Sequence, residues 1–205
     1  MQNPYLDYAA DFVRHPTPDG TVLRGSELGD LGDIMQAQRH RHLAVQNWAW
    51  AIPTEPIVRA IAELSPIIEM GAGTGYWAWC LNQCGADVLA FDHAPPGLNS
   101  HNTHHHTTTQ WHPVQVGRPS ILRCYSDRTL MLCWPDYDND FAAECLRSHR
   151  GTDLVFIGEG QGGCTGNDLF FDLLSCNYRN PATLYIPQWD GIHDAVHLYK
   201  RNRNR

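Results

Sequence analysis

The sequence of 205 residues has no run of eighteen consecutive apolar residues, the length that marks a membrane-spanning helix. The segment Met1–Arg14 also lacks a basic stretch followed by an apolar run. We therefore expect neither secretion nor contact with a membrane, and a cytoplasmic location. With 42% hydrophobic and 18% charged residues, the composition is globular, and residues 1–205 fit a single domain.

Cysteine pairs of the CxxC type are missing as well, and the cysteine count of seven is odd. The thiols are scattered rather than grouped, at positions 80, 84, 124, 133, 145, 164 and 176. A disulfide framework is therefore not indicated. We interpret the cysteines as reduced, small buried side chains of a cytoplasmic protein.

Basic residues are few, because 15 Lys and Arg stand against 22 Asp and Glu, for a net charge of -7. Non-specific affinity for nucleic acid comes mostly from Lys and Arg that neutralise phosphates. A nucleic-acid substrate is therefore disfavoured. The one basic run closes the chain, and we interpret residues 201–205 as a solvated tail.

The chain changes character near residue 65. Residues 1–64 are polar and mixed, with helices predicted at Leu31–Val45 and Pro56–Leu64 and a Pro- and Gly-rich link at Pro16–Gly25. We predict that they form a helical N-terminal extension, packed as a lid on a core made by residues 65–200.

Within that core, short apolar runs alternate with amphipathic stretches, as in a parallel sheet with crossover helices. The predicted strands are Pro66–Met70, Asp87–Asp92, Pro113–Val116, Thr129–Trp134, Thr152–Glu159, Thr183–Trp189 and Ala195–Lys200. The predicted helices are Tyr76–Cys84, Asp138–His149 and Asn167–Cys176. Only Asp190–His193 separate the last two strands, too few residues for a crossover, so these strands should pair antiparallel. We predict a doubly wound, seven-stranded, mostly parallel α/β sheet with a C-terminal antiparallel hairpin.

Three glycines follow the first core strand at every second position, as Gly71, Gly73 and Gly75. They stand between an apolar strand and an amphipathic helix, where a doubly wound sheet lets a ligand approach the backbone. Only glycine permits so close an approach. The segment is therefore predicted to be a ligand-binding turn.

The spacing of this turn argues against a dinucleotide. The dinucleotide fingerprint GxGxxG would place its last glycine where this chain has Tyr76, a side chain that disturbs the contact between helix and sheet. The acidic Glu69 would also lie badly beside a pyrophosphate. The negative charge expected of Glu69 suits a cofactor with a positively charged amino-acid end.

The segment Glu69–Gly75, with the pattern ExGxGxG, is similar to the first motif of the class I S-adenosylmethionine methyltransferases. The resemblance runs from the first core strand to the chain end. It implies S-adenosylmethionine as cofactor and a seven-stranded sheet into which the last strand inserts antiparallel. It also implies Asp92 as the ribose ligand, since a carboxylate at the tip of the second strand can accept hydrogen bonds from both hydroxyls. The residues expected at the cofactor are Glu69, Gly71, Ala72, Gly73, Gly75, Tyr76, Asp92 and His93.

In the family that the chain resembles, the acceptor approaches from the loops after the fourth and fifth strands. Here the first loop is Trp-Pro-Asp-Tyr, similar only in part to the Asp/Asn-Pro-Pro-Tyr/Phe motif of members that methylate amines, because Trp134 stands in the amide position. Asp136 and Glu159 each follow a predicted strand end, so we expect them as candidate general bases. Trp134, Tyr137 and Trp50 are expected to contact the substrate.

Other aromatic and glycine-rich segments have two interpretations each. Tyr5, Tyr8 and Trp48 either cover the ligand or simply pack the extension on the sheet. The segment Gly158–Gly166 lacks the Lys-Ser/Thr pair of a phosphate-binding loop, which favours a substrate-side loop.

Four histidines, His101, His104, His105 and His106, lie in a Thr-rich run between the second and third core strands. Imidazole binds zinc, copper and nickel, but no cysteine or carboxylate accompanies them at ligand spacing, so we predict no metal site. We interpret the run as a mobile insertion.

Taken together, the sequence predicts S-adenosylmethionine-dependent methyl transfer to a nitrogen or oxygen of a small molecule or of a peptide or protein side chain. Two alternatives stay open. One is a non-catalytic S-adenosylmethionine binder or scaffold of the same fold. The other is a nicotinamide-dependent oxidoreductase, which the absence of GxGxxG argues against.

Overall fold

The structure, a computed structural model, describes residues 1–17, 22–24, 31–97, 102, 104, 105 and 110–202. His101, His106, residues 18–21 and 25 of the predicted link, and residues 203–205 of the predicted tail lie outside the described residues. Within the described part of the chain, no helix has both the length and the apolar composition that a membrane crossing requires.

Ten strands and six α-helices form the described fold. The strands are β1 (Val13–Pro16), β2 (Val22–Arg24), β3 (Ile67–Met70), β4 (Val88–Asp92), β5 (Val114–Val116), β6 (Thr129–Cys133), β7 (Asp153–Gly158), β8 (Tyr178–Tyr185), β9 (Gln188–Trp189) and β10 (Ala195–Arg201). The α-helices are α1 (Pro4–Ala9), α2 (Leu31–Asn47), α3 (Glu55–Ala62), α4 (Tyr76–Gln83), α5 (Phe141–Ser148) and α6 (Asp168–Asn177). A 3-10 helix at Pro119–Cys124 adds a turn before β6.

The central sheet has seven strands in the order β5-β4-β3-β6-β7-β10-β8. Neighbours from β5 to β7 pair in parallel, whereas β10 is antiparallel to both β7 and β8. This confirms the predicted doubly wound sheet into which the last strand inserts antiparallel. The strand order reverses between β3 and β6, and such a switch point opens a crevice at the carboxyl ends of the strands.

The sheet is covered on both faces, as a mainly parallel sheet requires. Ile67 of β3 packs into one buried cluster, with Trp77 of α4 and Tyr5 of the N-terminal extension. The next residue, Ile68, faces the opposite cluster, which includes Ala142 of α5 and Phe170 of α6. The alternation along one strand therefore joins two apolar cores across the sheet.

The predicted strand Thr183–Trp189 is wrong in its bounds. The observed β8 begins directly after α6 and ends at Tyr185. Pro187 has no N-H to donate and interrupts the ladder. The chain beyond it forms β9, which pairs with β1 in a separate three-stranded sheet, β2-β1-β9. The N-terminal extension is therefore helical, as predicted, but it also contributes two strands that the sequence did not indicate.

Candidate functional site

The glycine turn directly follows β3 and leads into α4. All three glycines have positive φ, with values of 71° at Gly71, 51° at Gly73 and 75° at Gly75. This conformation is costly for other residues. At Gly73 a Cβ would also lie only 2.4 Å from Nε2 of His105. The turn therefore requires glycine for both its backbone and its surroundings.

Asp92 ends β4, the neighbour of β3, and its carboxylate holds the turn. Oδ2 accepts a hydrogen bond of 2.9 Å from the Gly73 N-H, and Oδ1 accepts one of 2.9 Å from the Ala94 N-H. The residue is only 6% exposed. Oδ1 also lies 3.4 Å from Nδ1 of His93. Since a carboxylate offers about four lone-pair sites, Oδ2 keeps one for another donor.

A cavity of about 390 Å³ opens above the glycine turn at the carboxyl edge of the sheet. We call it the first cavity. Its lining residues are Trp50, Met70, Gly71, Gly73, Asp92, His93, Asn102, His104, His105, Cys133, Trp134, Pro135, Asp136, Asn139 and Phe141. Of the residues expected at the cofactor, Gly71, Gly73, Asp92 and His93 are therefore at this cavity.

The other four residues expected at the cofactor do not line the first cavity. Ala72 and Gly75 belong to the turn, whereas Glu69 is 2% exposed within the core, and its Oε2 has no hydrogen-bond partner. Burial, with a smaller contribution from the charge of Asp92, raises the pKa of Glu69 to about 8. A carboxyl with this pKa is mainly protonated at pH 7, whereas the sequence predicted a charged group beside the cofactor.

Tyr76 faces the N-terminal extension instead of the cavity. Its hydroxyl donates a hydrogen bond of 2.9 Å to Asn3 Oδ1 and accepts one of 3.2 Å from the Tyr5 N-H. The side chain is 1% exposed. Tyr76 of α4 is therefore hydrogen-bonded to α1 and to its N-cap residue, which explains a bulky side chain at this position.

The described histidines of the His-rich run, His104 and His105, line the cavity together with Asn102. Asn102 accepts the N-H groups of His104 and His105 and donates to the Ala94 carbonyl. His105 is 6% exposed, and its buried Nδ1 has no partner. Burial lowers the pKa of His105. Among the described residues, no three His, Cys, Asp or Glu side chains lie together as metal ligands would.

Trp134 and Trp50 stack on each other at the cavity, with ring centroids 4.7 Å apart and planes 11° apart. Trp134 has φ of 51°, an unusual backbone conformation for a bulky residue. Its Nε1 donates a hydrogen bond of 2.7 Å to Oδ1 of the buried Asp194. This indole N-H is therefore not free to bind a substrate. Trp48 instead stacks on Tyr5, so only one of these neighbouring tryptophans reaches the cavity.

Asp136 follows β6 and lies at the cavity with an exposed carboxylate. Its Oδ1 is 3.7 Å from Nε2 of His104, and its Oδ2 accepts a hydrogen bond of 3.1 Å from Asn139. Since these groups come from different loops, the structure brings a carboxylate and an imidazole together at the carboxyl edge. His104 and Asn139 are site residues that the sequence interpretation missed.

Glu159, the other candidate base, does not line the first cavity. Its Oε2 accepts the Cys164 N-H at 2.8 Å and its Oε1 accepts the His193 N-H at 2.9 Å. Burial raises the pKa of Glu159, but these two hydrogen bonds outweigh burial and hold it below its ordinary value. The geometry supports a loop-anchoring role, because both oxygens are committed to backbone donors.

A second cavity, of about 520 Å³, adjoins the first. Its lining residues are Arg41, Trp50, His104, Trp134, Asp136, Tyr137, Asp138, Asn139, Cys164 and Ile192. Five of them, Trp50, His104, Trp134, Asp136 and Asn139, also line the first cavity. The two cavities therefore meet at these five residues, which we call the shared wall. Tyr137, which is 61% exposed, belongs to the second cavity only.

The strand order, the inserted antiparallel strand and the cavity above the first turn define a doubly wound α/β protein with the fold that the resemblance to class I methyltransferases implied. No protein-family model matches the chain, and no curated protein matches its sequence.

Several solved structures are similar to this one. A TehB-like S-adenosylmethionine-dependent methyltransferase from Corynebacterium glutamicum is 18% identical over 84% of this chain and 100% of its own, with a TM-score of 0.45. Magnesium protoporphyrin IX methyltransferase from Synechocystis is 11% identical over 85% and 86%, with a TM-score of 0.45. A tRNA (m1A58) methyltransferase from Aquifex aeolicus is 8% identical over 95% and 98%, with a TM-score of 0.43. The names of the last two give different substrates, magnesium protoporphyrin IX and tRNA.

Proposed function

We propose that this chain is an S-adenosylmethionine-dependent methyltransferase that acts on a small molecule or on a side chain of a peptide or protein. The observation that carries the proposal is the pairing of Asp92 with the Gly73 N-H at the floor of the first cavity. It places a carboxylate with a free lone pair beside an exposed backbone turn at the switch point of the sheet.

The residues at the first cavity fit this cofactor. A volume of about 390 Å³ is within the usual range of ligand sites. Asp92 would accept the ribose hydroxyls, and Gly71 and Gly73 would allow the ligand to approach the backbone. His105 also lines this cavity, beside the glycine turn. When bound, the cofactor would supply a methyl group activated by a sulfonium.

The second cavity is proposed to hold the acceptor. Alignment of two bound reactants can contribute up to roughly 7 to 11 kcal/mol to catalysis, so holding the acceptor atom in line with the methyl group where the two cavities meet would provide much of the rate enhancement. Asp136 is positioned to take a proton from an acceptor hydroxyl or amine, and His104, 3.7 Å away, is positioned to share it. Trp134 holds no acceptor nitrogen in this scheme, since its N-H is bonded to Asp194.

A nicotinamide cofactor is not supported by the same turn. The third glycine of a dinucleotide fingerprint gives close contact between helix and strand, and this chain has the buried, doubly hydrogen-bonded Tyr76 there. Replacing Tyr76 with the glycine of that fingerprint would remove its hydrogen bonds to Asn3 and Tyr5 of the N-terminal extension.

Thermal unfolding with either S-adenosylhomocysteine or NAD separates the two cofactors. A ligand at 100 times its dissociation constant stabilises the folded state by about 2.7 kcal/mol. We expect S-adenosylhomocysteine to raise the unfolding temperature and NAD to leave it unchanged. A shift with NAD alone would overturn the proposal. A shift with S-adenosylhomocysteine, without methyl incorporation into any metabolite or peptide pool, would favour a non-catalytic binder.

A further inference from the structure

Arg41 of α2 lies at the second cavity with an incomplete set of partners. Its guanidinium carbon is 5.2 Å from the ring centroid of Trp50 and 5.2 Å from that of Trp134. Nε and Nη2 are shielded from solvent, yet neither has a hydrogen-bond acceptor. Among the described residues, no carboxylate forms an ion pair with this side chain.

Burial raises the pKa of Asp194 and the charge of Arg41 opposes this rise, but that carboxyl group accepts the Trp134 N-H and forms no ion pair with the arginine. Contact with the tryptophan rings stabilises the positive charge, but it leaves the N-H donors unsatisfied. Nε and Nη2 lie on one edge of the guanidinium group. Once the side chain turns this edge towards the cavity, the edge matches the two oxygens of a carboxylate, which can accept both hydrogen bonds at once.

The other groups around the second cavity limit how a ligand can lie in it. Asp136 and Asp138 line the same cavity and repel an anion, so an anionic end is directed towards Arg41. The rest of the ligand then extends past Trp50 and Trp134 towards Asp136 and His104. Aromatic side chains on this route favour a planar ring.

We propose that the acceptor is an aromatic carboxylic acid, whose carboxylate binds Arg41 and whose ring lies against Trp50 and Trp134. This inference rests on the proposed function and deepens it by naming the substrate class. The nucleophilic atom would be at the far end of the ring, on the side of Asp136 and His104. Because Arg41 does not line the first cavity, its loss should leave cofactor binding intact.

The test uses the full-length protein saturated with S-adenosylhomocysteine. Calorimetric titration, supported by tryptophan fluorescence, compares one- and two-ring aryl carboxylates such as 4-hydroxybenzoate with their amides and with phenyl phosphate. We expect saturable binding of at least one carboxylate and none of its amide. Arg41→Gln should weaken that binding by roughly tenfold or more, the loss expected for a charge-assisted hydrogen bond.

Arg39→Gln is the matched control, because it removes the same charge from an exposed position of the same helix. It should bind the acid like the natural chain, and Arg41→Lys should fall between the two. The affinity for S-adenosylhomocysteine, measured on each variant, shows that the protein is folded and keeps the two proposals apart.

Four results would overturn the inference while the proposed function stands. In the first, no carboxylate binds although S-adenosylhomocysteine does. In the second, the amide binds as well as the acid. In the third, phenyl phosphate binds and the carboxylates do not. In the fourth, Arg41→Gln weakens S-adenosylhomocysteine instead, which would assign the arginine to the methyl donor. Failure of S-adenosylhomocysteine to bind the natural chain would overturn both proposals.

Discussion

The indole N-H of Trp134 donates a 2.7 Å hydrogen bond to Asp194, a carboxyl group that is 1% exposed. This bond holds a bulky residue in a left-handed backbone conformation at the wall shared by the two cavities. Burial above all, with the nearby charge of Glu159, raises the pKa of Asp194 to about 7. The wall therefore depends on a buried polar pair away from the ligand-binding surface.

Removing the acceptor of this bond should destabilise the fold. Asp194→Ala leaves the Trp134 N-H buried without a partner, at a cost of about 1 to 3 kcal/mol in the free energy of unfolding. Asp194→Asn keeps an oxygen at the same place and should cost much less. Urea denaturation of both variants at pH 6 measures the difference. Equal losses would show that the hydrogen bond does not hold Trp134.

Glu69 should make stability fall as the pH rises from about 4.5 to about 8. Its pKa of about 8 in the folded protein exceeds the ordinary value, so the folded state favours the protonated form. Its stabilising contribution is complete below about pH 4.5 and is lost as the pH rises through 8, at a slope of up to about 1.4 kcal/mol per pH unit.

Glu69→Gln should remove this loss, as seen by comparing urea denaturation at pH 6 and pH 9. Glu63→Gln, which changes an exposed carboxylate just before β3, is the control and should follow the natural chain. If Glu69→Gln and the natural chain lose stability in parallel, the buried carboxyl is not the titrating group.

His149 should destabilise the protein on acidification. It is fully buried, with Nε2 3.1 Å from the Arg128 carbonyl and Nδ1 3.3 Å from the Tyr178 hydroxyl. Burial lowers its pKa to about 4, so its contribution is complete above the unfolded value of about 6.5 and is lost as the pH falls towards 4. His149→Gln should flatten the stability profile between pH 6.5 and 4 relative to the natural chain. An unchanged slope in the variant would contradict this assignment.

The two candidate bases should respond differently to removal of their charge. Asp136→Asn should lower the rate of methyl transfer by roughly 10² to 10⁴ with little change in stability, because its carboxylate is exposed at the shared wall. Glu159→Gln should mainly lower stability, since an amide N-H would face a backbone donor from Cys164 or His193. Turnover with labelled S-adenosylmethionine and urea denaturation measure both effects. The opposite pattern would move the base to Glu159.

Local sequence patterns were sufficient for most of the sheet. The apolar runs at β3, β4, β6 and β7 and the short connection before β10 are signals that neighbouring residues carry. The bounds of β8 were missed because Pro187 ends a run that is continuous in hydrophobicity. Pairing of β9 with β1 joins segments about 175 residues apart, and no local pattern encodes it.

Some residues of the site could likewise be predicted from local sequence patterns, and others could not. Gly71, Gly73 and Asp92 follow strand ends of adjacent strands, so their meeting could be expected from the fold alone. Arg41 and His104 reach the cavities from the N-terminal extension and from the His-rich run, where packing of distant segments decides the position of each side chain. The composition of the His-rich run suggests metal binding, and no pattern in it indicates that His104 lies beside Asp136.

The proposed role of Asp92 at the methyl donor is tested by the affinity for S-adenosylhomocysteine. Titration calorimetry measures this affinity on the natural chain, on Asp92→Ala and on Asp127→Ala. Circular dichroism checks that all three are folded, and Asp127 is an exposed aspartate away from the cavities. We predict binding to the natural chain and to Asp127→Ala, and an affinity at least tenfold lower for Asp92→Ala, which loses its charge-assisted hydrogen bonds to the ligand. Equal affinity of Asp92→Ala and the natural chain would contradict the role of Asp92 as a ligand. Binding of NAD in place of S-adenosylhomocysteine would contradict the proposed cofactor.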